Sequence, residues 1–328
     1  MGSSACGERL KVMNERSKGF AFVLATAAIS GLSIFLNKFA LASFTNPFVF
    51  TTMKNAMVAL FVFSGLVLTF KHRELFSLRL ADWRNLFLIG VIGGSIPFLL
   101  FFWGLAQTSA ANSSLLHKSL FIPASALAFL FLKEKLSKVQ LAGACLLFIG
   151  AALFSGINFT ALTAGDYAII GAVLLWSAED VLSKYVLRSI SPQIVVFGRM
   201  FFGSLLMIGF LGFTSQLPDL ATLTANHWLW LLLTSLLLLG YNLTFYSGLQ
   251  RIKVGEATAV LVLGSVVTTF LSLTVGKIPS VYELLAATAV LLGVAAIVLF
   301  PARELAAQPE LQPVTAHTPE ERDSDIRA

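Results

Sequence analysis

Residues 176–199 read WSAEDVLSKYVLRSISPQIVVFGR, and the fold is decided by how this stretch is understood. Two adjacent carboxylates, Glu179 and Asp180, stand inside an otherwise apolar segment. Lys184 follows one helical turn later, and Arg199 lies in the next apolar segment. An ionisable side chain at bilayer depth costs a few kcal/mol or more, so it is kept where it meets a partner or a water-filled cavity. Around these charges the chain is apolar almost throughout: 57% of its 328 residues are hydrophobic and 12% are charged, about half the charge of a soluble globular domain. Such a composition describes an all-α integral membrane protein that crosses the bilayer many times.

A transmembrane helix needs about 20 predominantly apolar residues. On that basis ten segments are expected, near 19–42, 47–70, 84–106, 111–132, 138–156, 166–188, 192–214, 228–250, 255–276 and 281–300. The connections are too short to hold a folded domain. The leader, residues 1–17, is polar, and the apolar run after it is too long for a signal-peptide core and lacks a small-residue cleavage site, so it is expected to remain as the first span. Residues 301–328, rich in Pro, Glu and Gln, read as a disordered tail.

Lys and Arg near span ends are retained in the cytoplasm. Here they gather in the leader, in alternate loops (Lys71, Arg73, Arg79 and Arg84; Lys133, Lys135 and Lys138; Arg188; Arg251 and Lys253) and in the tail, while the remaining loops carry only Lys277. Both termini are therefore expected to be cytoplasmic, in a multi-pass protein of the cell membrane. The formal charge of +6 is topology information on these reckonings, not the footprint of a nucleic-acid partner. Cys6 and Cys145 lie far apart, and no disulfide, metal site or cofactor is implied.

The chain also repeats itself. Pro47 precedes Lys54 by seven residues, and Pro192 precedes Arg199 by seven, at an offset of 145; Gly104-Leu105 recurs as Gly248-Leu249, and Gly150 recurs as Gly293, at almost the same offset. Two halves of five spans, 18–156 and 166–300, follow. Five is odd, so the second half enters the membrane from the opposite side, as in the inverted repeats of many secondary transporters, whose site lies between the halves.

LLWSAEDVLSKYVL opens the second half, and SSLLHKSLFIPASALAFLFLKEKLSKVQLAGACLLFIGAAL closes the first, with Pro123, Lys-Glu-Lys at 133–135, Gly143 and Gly150 in order. Over residues 18–300 this pattern resembles the EamA-type family of the drug/metabolite transporter superfamily. The resemblance implies alternating access, with spans one to four and six to nine around a central cavity and spans five and ten at the periphery. It leaves the substrate open, since the superfamily includes exporters of amino acids and other metabolites as well as exchangers of sugar phosphates and nucleotide sugars. The sequence departs from the pattern twice: no glutamate matches Glu134 in the second half, where Lys277 stands near that position, and Ser30-Gly31 replaces the Trp-Gly of many relatives.

Trp176, Glu179, Asp180, Ser183 and Lys184 share one helix face, and Ser30, Ser33, Asn37 and Lys38 form a matching stripe in the first span. The plainer alternative is a structural cluster in which Asp180 pairs with Lys184 and Glu179 with Arg199. At about 1.5 Å per residue, Glu179 and Asp180 lie about 20 Å in from the outer boundary, just past the midplane; Lys54, His117 and Lys118 lie about 10 Å in, and Arg199 about as far from the inner boundary. A dehydrated carboxylate suits proton coupling, so Glu179 and Asp180 are expected to couple, with His117, an imidazole, as a second candidate. Lys54, Lys118 and Arg199 are expected to bind a carboxylate or phosphate of the substrate, Arg through its bidentate fork, and Tyr241 and Asn242, which share one side of the eighth span with Phe245 and Tyr246, to line the pocket. Gly90, Gly93, Gly94 and Pro97 mark a place where a helix bends or packs closely.

No HExxH, GxSxG, P-loop or dinucleotide fingerprint is present, so no enzyme is expected and no catalytic residue is assigned. With no ATP-binding motif, active transport would draw on an ion gradient or on exchange. The expectation is a permease or exporter of a small polar metabolite, such as an amino acid or organic anion, embedded in lipid and with homodimer formation left open. A cation or drug exporter, and a non-transporting membrane enzyme or assembly protein on the same fold, are the alternatives.

Overall fold

The computed structural model describes residues 2–105, 107–108, 113, 116–155, 162–276 and 278–300, with side chains from Asn14 onward apart from 154–155 and 221. Lys277 and the tail 301–328 lie outside these residues, as does the start of the fourth expected span. Among the described residues the chain is helical, without strands. The helices are α1 (Gly2–Ala42), α2 (Pro47–Leu68) and a short α3 (His72–Phe76). Then come α4 (Leu80–Leu105), α5 (Leu116–Leu132) and α6 (Lys138–Ser155). The second half holds α7 (Ala164–Val186), α8 (Pro192–Phe213), α9 (Ala225–Arg251), α10 (Val254–Val275) and α11 (Val281–Leu299).

Seven of these are long and apolar enough to cross a bilayer: α1 from Asn14, α2, α4, α8, α9, α10 and α11. α5 and α6 are shorter apolar helices. α7 has the length, at 23 residues, but carries Asp166, Glu179, Asp180 and Lys184. The charges that single it out in the sequence are what remove it from a count based on apolarity.

Helix starts follow from local chemistry. Asn46 accepts from the amides of Phe48 and Val49 ahead of Pro47, whose missing N–H is no loss in a first turn. Pro192 opens α8 in the same way. Capping boxes start α7, with Thr163 and Asp166, and α11, with Ser280 and Glu283.

Neighbours in the bundle come in matched pairs. α1 packs on α9 and α10, and α7 packs on α4 and α5; α2 packs on α8, and α6 on α11. Two sets of contacts fix the ends. At one end Asn46 donates to Gln216 and Asn226 to Ser43, while Thr108 donates to Asp166. At the other, Arg16 meets Glu256, Glu134 accepts from the amide of Val254, and Ser137 donates to the carbonyl of Phe300. α1 and α7 therefore run in opposite directions, as do α2 and α8.

α4 is interrupted by a π-helical turn, Gly90–Ser95, in which Ser95 Oγ donates to the carbonyls of Gly90 and Val91. π turns loosen backbone pairing and collect at functional sites. Here the glycines also admit a neighbour: a Cβ on Gly94 would collide with the backbone of Arg199 and Gly203. A second close approach joins α6 and α11, where a Cβ on Gly143 would lie 2.8 Å from the carbonyl oxygen of Gly293 and one on Gly293 would lie 2.7 Å from that of Gly143. Small residues permit such contact where burial from water cannot drive it.

Gly293→Ala is expected to cost about 1–3 kcal/mol through overpacking, read as a lower melting temperature of the detergent-purified protein. Gly65→Ala, whose added methyl meets no atom within 4 Å, should melt no lower than the parent. Equal melting of the two variants would show that the glycine contact does not set the spacing of α6 and α11.

Candidate functional site

The charges of α7 meet groups from three other helices. Glu179 Oε1 accepts from Ser183 Oγ at 2.5 Å and from the Tyr246 hydroxyl at 2.6 Å, and Glu179 Oε2 lies 3.7 Å from Arg199 Nε. Arg199 in turn donates through Nη1 to Asn242 Oδ1 at 2.7 Å and through Nη2 to the Gly93 carbonyl at 3.1 Å. The same carbonyl accepts from Trp176 Nε1 at 3.1 Å. Gly93 lies in the π turn, where the backbone pairing of α4 is loosened, and a Cβ there would run into the Glu179 side chain. Glu179 is 1% exposed and Arg199 8%. Dehydrated charges of this kind require close pairing with their remaining donors and acceptors filled, which the phenol, hydroxyl, amide and carbonyl provide. Arg199 Nε alone keeps no hydrogen-bond partner.

Asp180, beside Glu179, is 4% exposed and has no hydrogen bond or ion pair among the described residues. It does not pair with Lys184. That ammonium is turned to the end of α9, donating to the carbonyls of Leu249, Gln250 and Ile252. It joins the charged end of the bundle, where Arg16 lies 3.1 Å from Glu256, Gln140 donates to Glu256, and Arg251 pairs with Glu15. Glu134 belongs here too: burial raises its carboxyl above the usual range, against the opposing pull of Lys184, the Val254 amide and Lys253.

The remaining expected residues divide. Asn242 touches Arg199, and Tyr241 stacks on Phe245 at 6.0 Å on the same side of α9. His117 lies against Trp176 at 5.3 Å and Phe101 at 5.2 Å, so it borders the cluster through the indole, with Lys118 next to it on α5. Lys54 stands apart on α2. It is buried, with Nζ 5.0 Å from the centre of the Phe50 ring and no ion pair or side-chain hydrogen bond among the described residues. Around it Thr51 Oγ1, Thr52 Oγ1 and Asn55 Oδ1 are buried and unsatisfied. Lys38 lines a cleft with Ile34, Phe35 and Thr268 at the surface of α1 and α10. Among the described residues no three His, Cys, Asp or Glu side chains gather as a metal site requires.

Sequence reasoning brought Glu179 and Arg199 together only as the plainer structural alternative, set Asn242 and Tyr246 on one side of the eighth span without foreseeing their contacts, and missed one participant, the Gly93 carbonyl. Tyr246 follows Asn242 by one turn, a spacing that puts both on one face. The Gly93 carbonyl carried no signal beyond the glycines around it.

Removing one partner of a buried ion pair costs about 3–5 kcal/mol, because the other charge stays dehydrated and uncompensated. Arg199→Met should therefore melt far lower than the parent, and Glu179→Gln combined with Arg199→Met should recover most of the loss. A double variant no more stable than Arg199→Met would remove the ion pair as the basis of the cluster.

Comparison with known proteins agrees with this architecture. The model of the EamA-like transporter family matches residues 17–156 and again 163–299. YyaM, an uncharacterized transporter of Bacillus subtilis, is 28% identical over 216 residues, 63% of this chain and 70% of its own. An uncharacterized transporter of Haemophilus influenzae is 29% identical over 255 residues, 75% of this chain and 80% of its own. A crystal structure of a protein 17% identical in sequence superposes with a TM-score of 0.71 over 89% of this chain and 99% of that one, a likeness of fold. With the family model spanning both halves of the sequence, the chain belongs to the EamA-like transporter family.

Proposed function

We propose that this protein is a secondary transporter, not an enzyme, that moves a small polar metabolite such as an amino acid or organic anion across the cell membrane by alternating access, driven by protons or by exchange. The observation that carries the reading is the buried cluster of Glu179 and Arg199, built by α7, α8 and α9 of the second half around a carbonyl of α4 in the first. A charged centre shared by two halves is where a transporter of inverted repeats holds its cargo.

Ten crossings follow if α5, α6 and α7 also span, with 18–156 and 166–300 as the repeats and both termini cytoplasmic. The opposite directions of α1 and α7 support that plan, and so does the gathering of Lys and Arg at one end. The contacts closing the charged end, from Arg16, Glu134, Gln140, Lys184 and Glu256, would be the barrier on the cytoplasmic side. Lys54, Lys118 and Arg199 would meet the anionic group of the substrate, Tyr241 and Asn242 would line the pocket, and Glu179, Asp180 and His117 would serve coupling. Lys54 is the strongest of the cations in this respect, because a buried ammonium without a counter-ion is stabilised by an incoming carboxylate or phosphate. Asp180, equally without a counter-ion, supports a second reading as a cation or drug exporter.

Melting of the detergent-purified protein against phosphates, carboxylates, amino acids and organic cations separates the two. A ligand at a hundred times its Kd adds about 2.7 kcal/mol to stability. Stabilisation by anions or amino acids, lost in Lys54→Ala, is the expected result; stabilisation by cations alone would establish the second reading. In proteoliposomes, Glu179→Gln with Asp180→Asn should abolish gradient-driven uptake of the stabilising compound. Normal uptake by that variant would refute the coupling function of the pair.

A further inference from the structure

Glu179 and Asp180 are adjacent in sequence, both buried, at 1% and 4% exposed, and opposite in their partners. Glu179 is surrounded by donors: Ser183, Tyr246 and the Arg199 guanidinium. Protonating it would strand Arg199 as a buried cation with only neutral acceptors. Asp180 has no donor among the described residues, and a carboxylate with none is far costlier to bury than a neutral carboxyl.

We propose that Asp180, and not Glu179, is the carboxyl that takes up and releases the coupling proton, an assignment that rests on the transport reading above.

From α10, Glu256 is held by Arg16 and Gln140 at the charged end of the bundle. α8 presents Arg199, α9 presents Tyr241 and Tyr246, and the helix of Asp180 itself presents Glu179. Arg199 is committed to Glu179, Asn242 and Gly93, and the Tyr246 hydroxyl donates to Glu179. Where α5 approaches, Ser177 donates to the Leu120 carbonyl, His117 lies against Trp176, and Lys118 follows His117. α4 presents the Gly93 carbonyl, already taken by Trp176 and Arg199. One turn on, Lys184 is held by carbonyls of α9.

The charge of the cluster then reduces to that of one group. Glu179 and Arg199 cancel, so the cluster is neutral while Asp180 carries its proton and bears one negative charge when the proton leaves. In the step itself an O–H bond of hydronium breaks as one forms on a carboxylate oxygen on one side, and on the other side that carboxyl O–H breaks as the proton passes to water and forms hydronium. No other bond changes. A negative cluster is returned to neutrality by a new proton or by a cationic group of the cargo, and this competition is what couples the two.

The test uses the proton alone as probe. Infrared difference spectra of the full-length protein between acid and alkaline pH should contain a protonated-carboxyl C=O band that Asp180→Asn removes. The band should persist in Glu134→Gln and in the charge-neutral Glu179→Gln/Arg199→Met pair, and should move in frequency in Asp180→Glu, which keeps the carboxyl should Asp180→Asn fold poorly. A band that survives Asp180→Asn, or that disappears in Glu179→Gln/Arg199→Met, overturns the assignment. Failure here is distinct from failure of the transport reading. Proton-driven uptake that survives Asp180→Asn would refute Asp180 while leaving the transporter intact; a band assigned to Asp180 without uptake of any stabilising compound would do the reverse.

Discussion

The ion pair between Glu179 and Arg199 is the constraint on which the centre of this bundle depends. Two charges placed among apolar helices must be matched to each other and then have their spare lone pairs and protons filled. Each filling reaches for a different helix: the Tyr246 hydroxyl and Asn242 amide for α9, the Gly93 carbonyl for α4, Ser183 for α7 itself. The pair thus specifies how four helices sit around it. The same need explains Trp176, whose indole N–H shares the Gly93 carbonyl and whose ring carries the contact to His117.

The halves of the sequence are alike in plan and unlike in charge. Lys54 stands where the repeat places the counterpart of Arg199, but the residue 145 positions before Glu179 is Ile34, an exposed aliphatic side chain. One cation therefore has its carboxylate and the other has none among the described residues. A similar inequality separates the ends of the bundle. One is tied by Arg16 with Glu256 and by Glu134 with the start of α10, the other by neutral contacts such as Asn46 with Gln216.

Much of this was legible in the sequence, because membrane burial makes charge rare and therefore informative. Glu179 with Arg199, the two prolines at the same offset and the glycines of α6 and α11 all announced themselves as residue types out of place. Pairing within a helix was the poorer guide. Lys184 sits at the spacing that favours Asp180, but the carbonyls left open at the end of α9 bind it instead. Tyr246 shared its side of the eighth span with Asn242 in the sequence, but the Gly93 carbonyl belongs to the backbone, which a sequence does not distinguish from any other. Apolarity misled in the other direction, since α7 falls outside a count of apolar spans through the charges of its own site.

The π turn of α4 does more than open a carbonyl. A π turn holds one residue more than the α-helical turn it replaces, and one residue in an α-helix is a rotation of about 100°. Gly90–Ser95 therefore works as a phase shifter between two lengths of the same rod. Ahead of it, Leu86 is aimed at Gly198 of α8; beyond it, Gly104 is aimed at Gly165 of α7. With a uniform α-helix, only one of those faces would be in register. Chain length in this turn is thus a coordinate of the structure: losing a single residue there would dial one half of α4 away from its partner without altering any side chain that touches the charges.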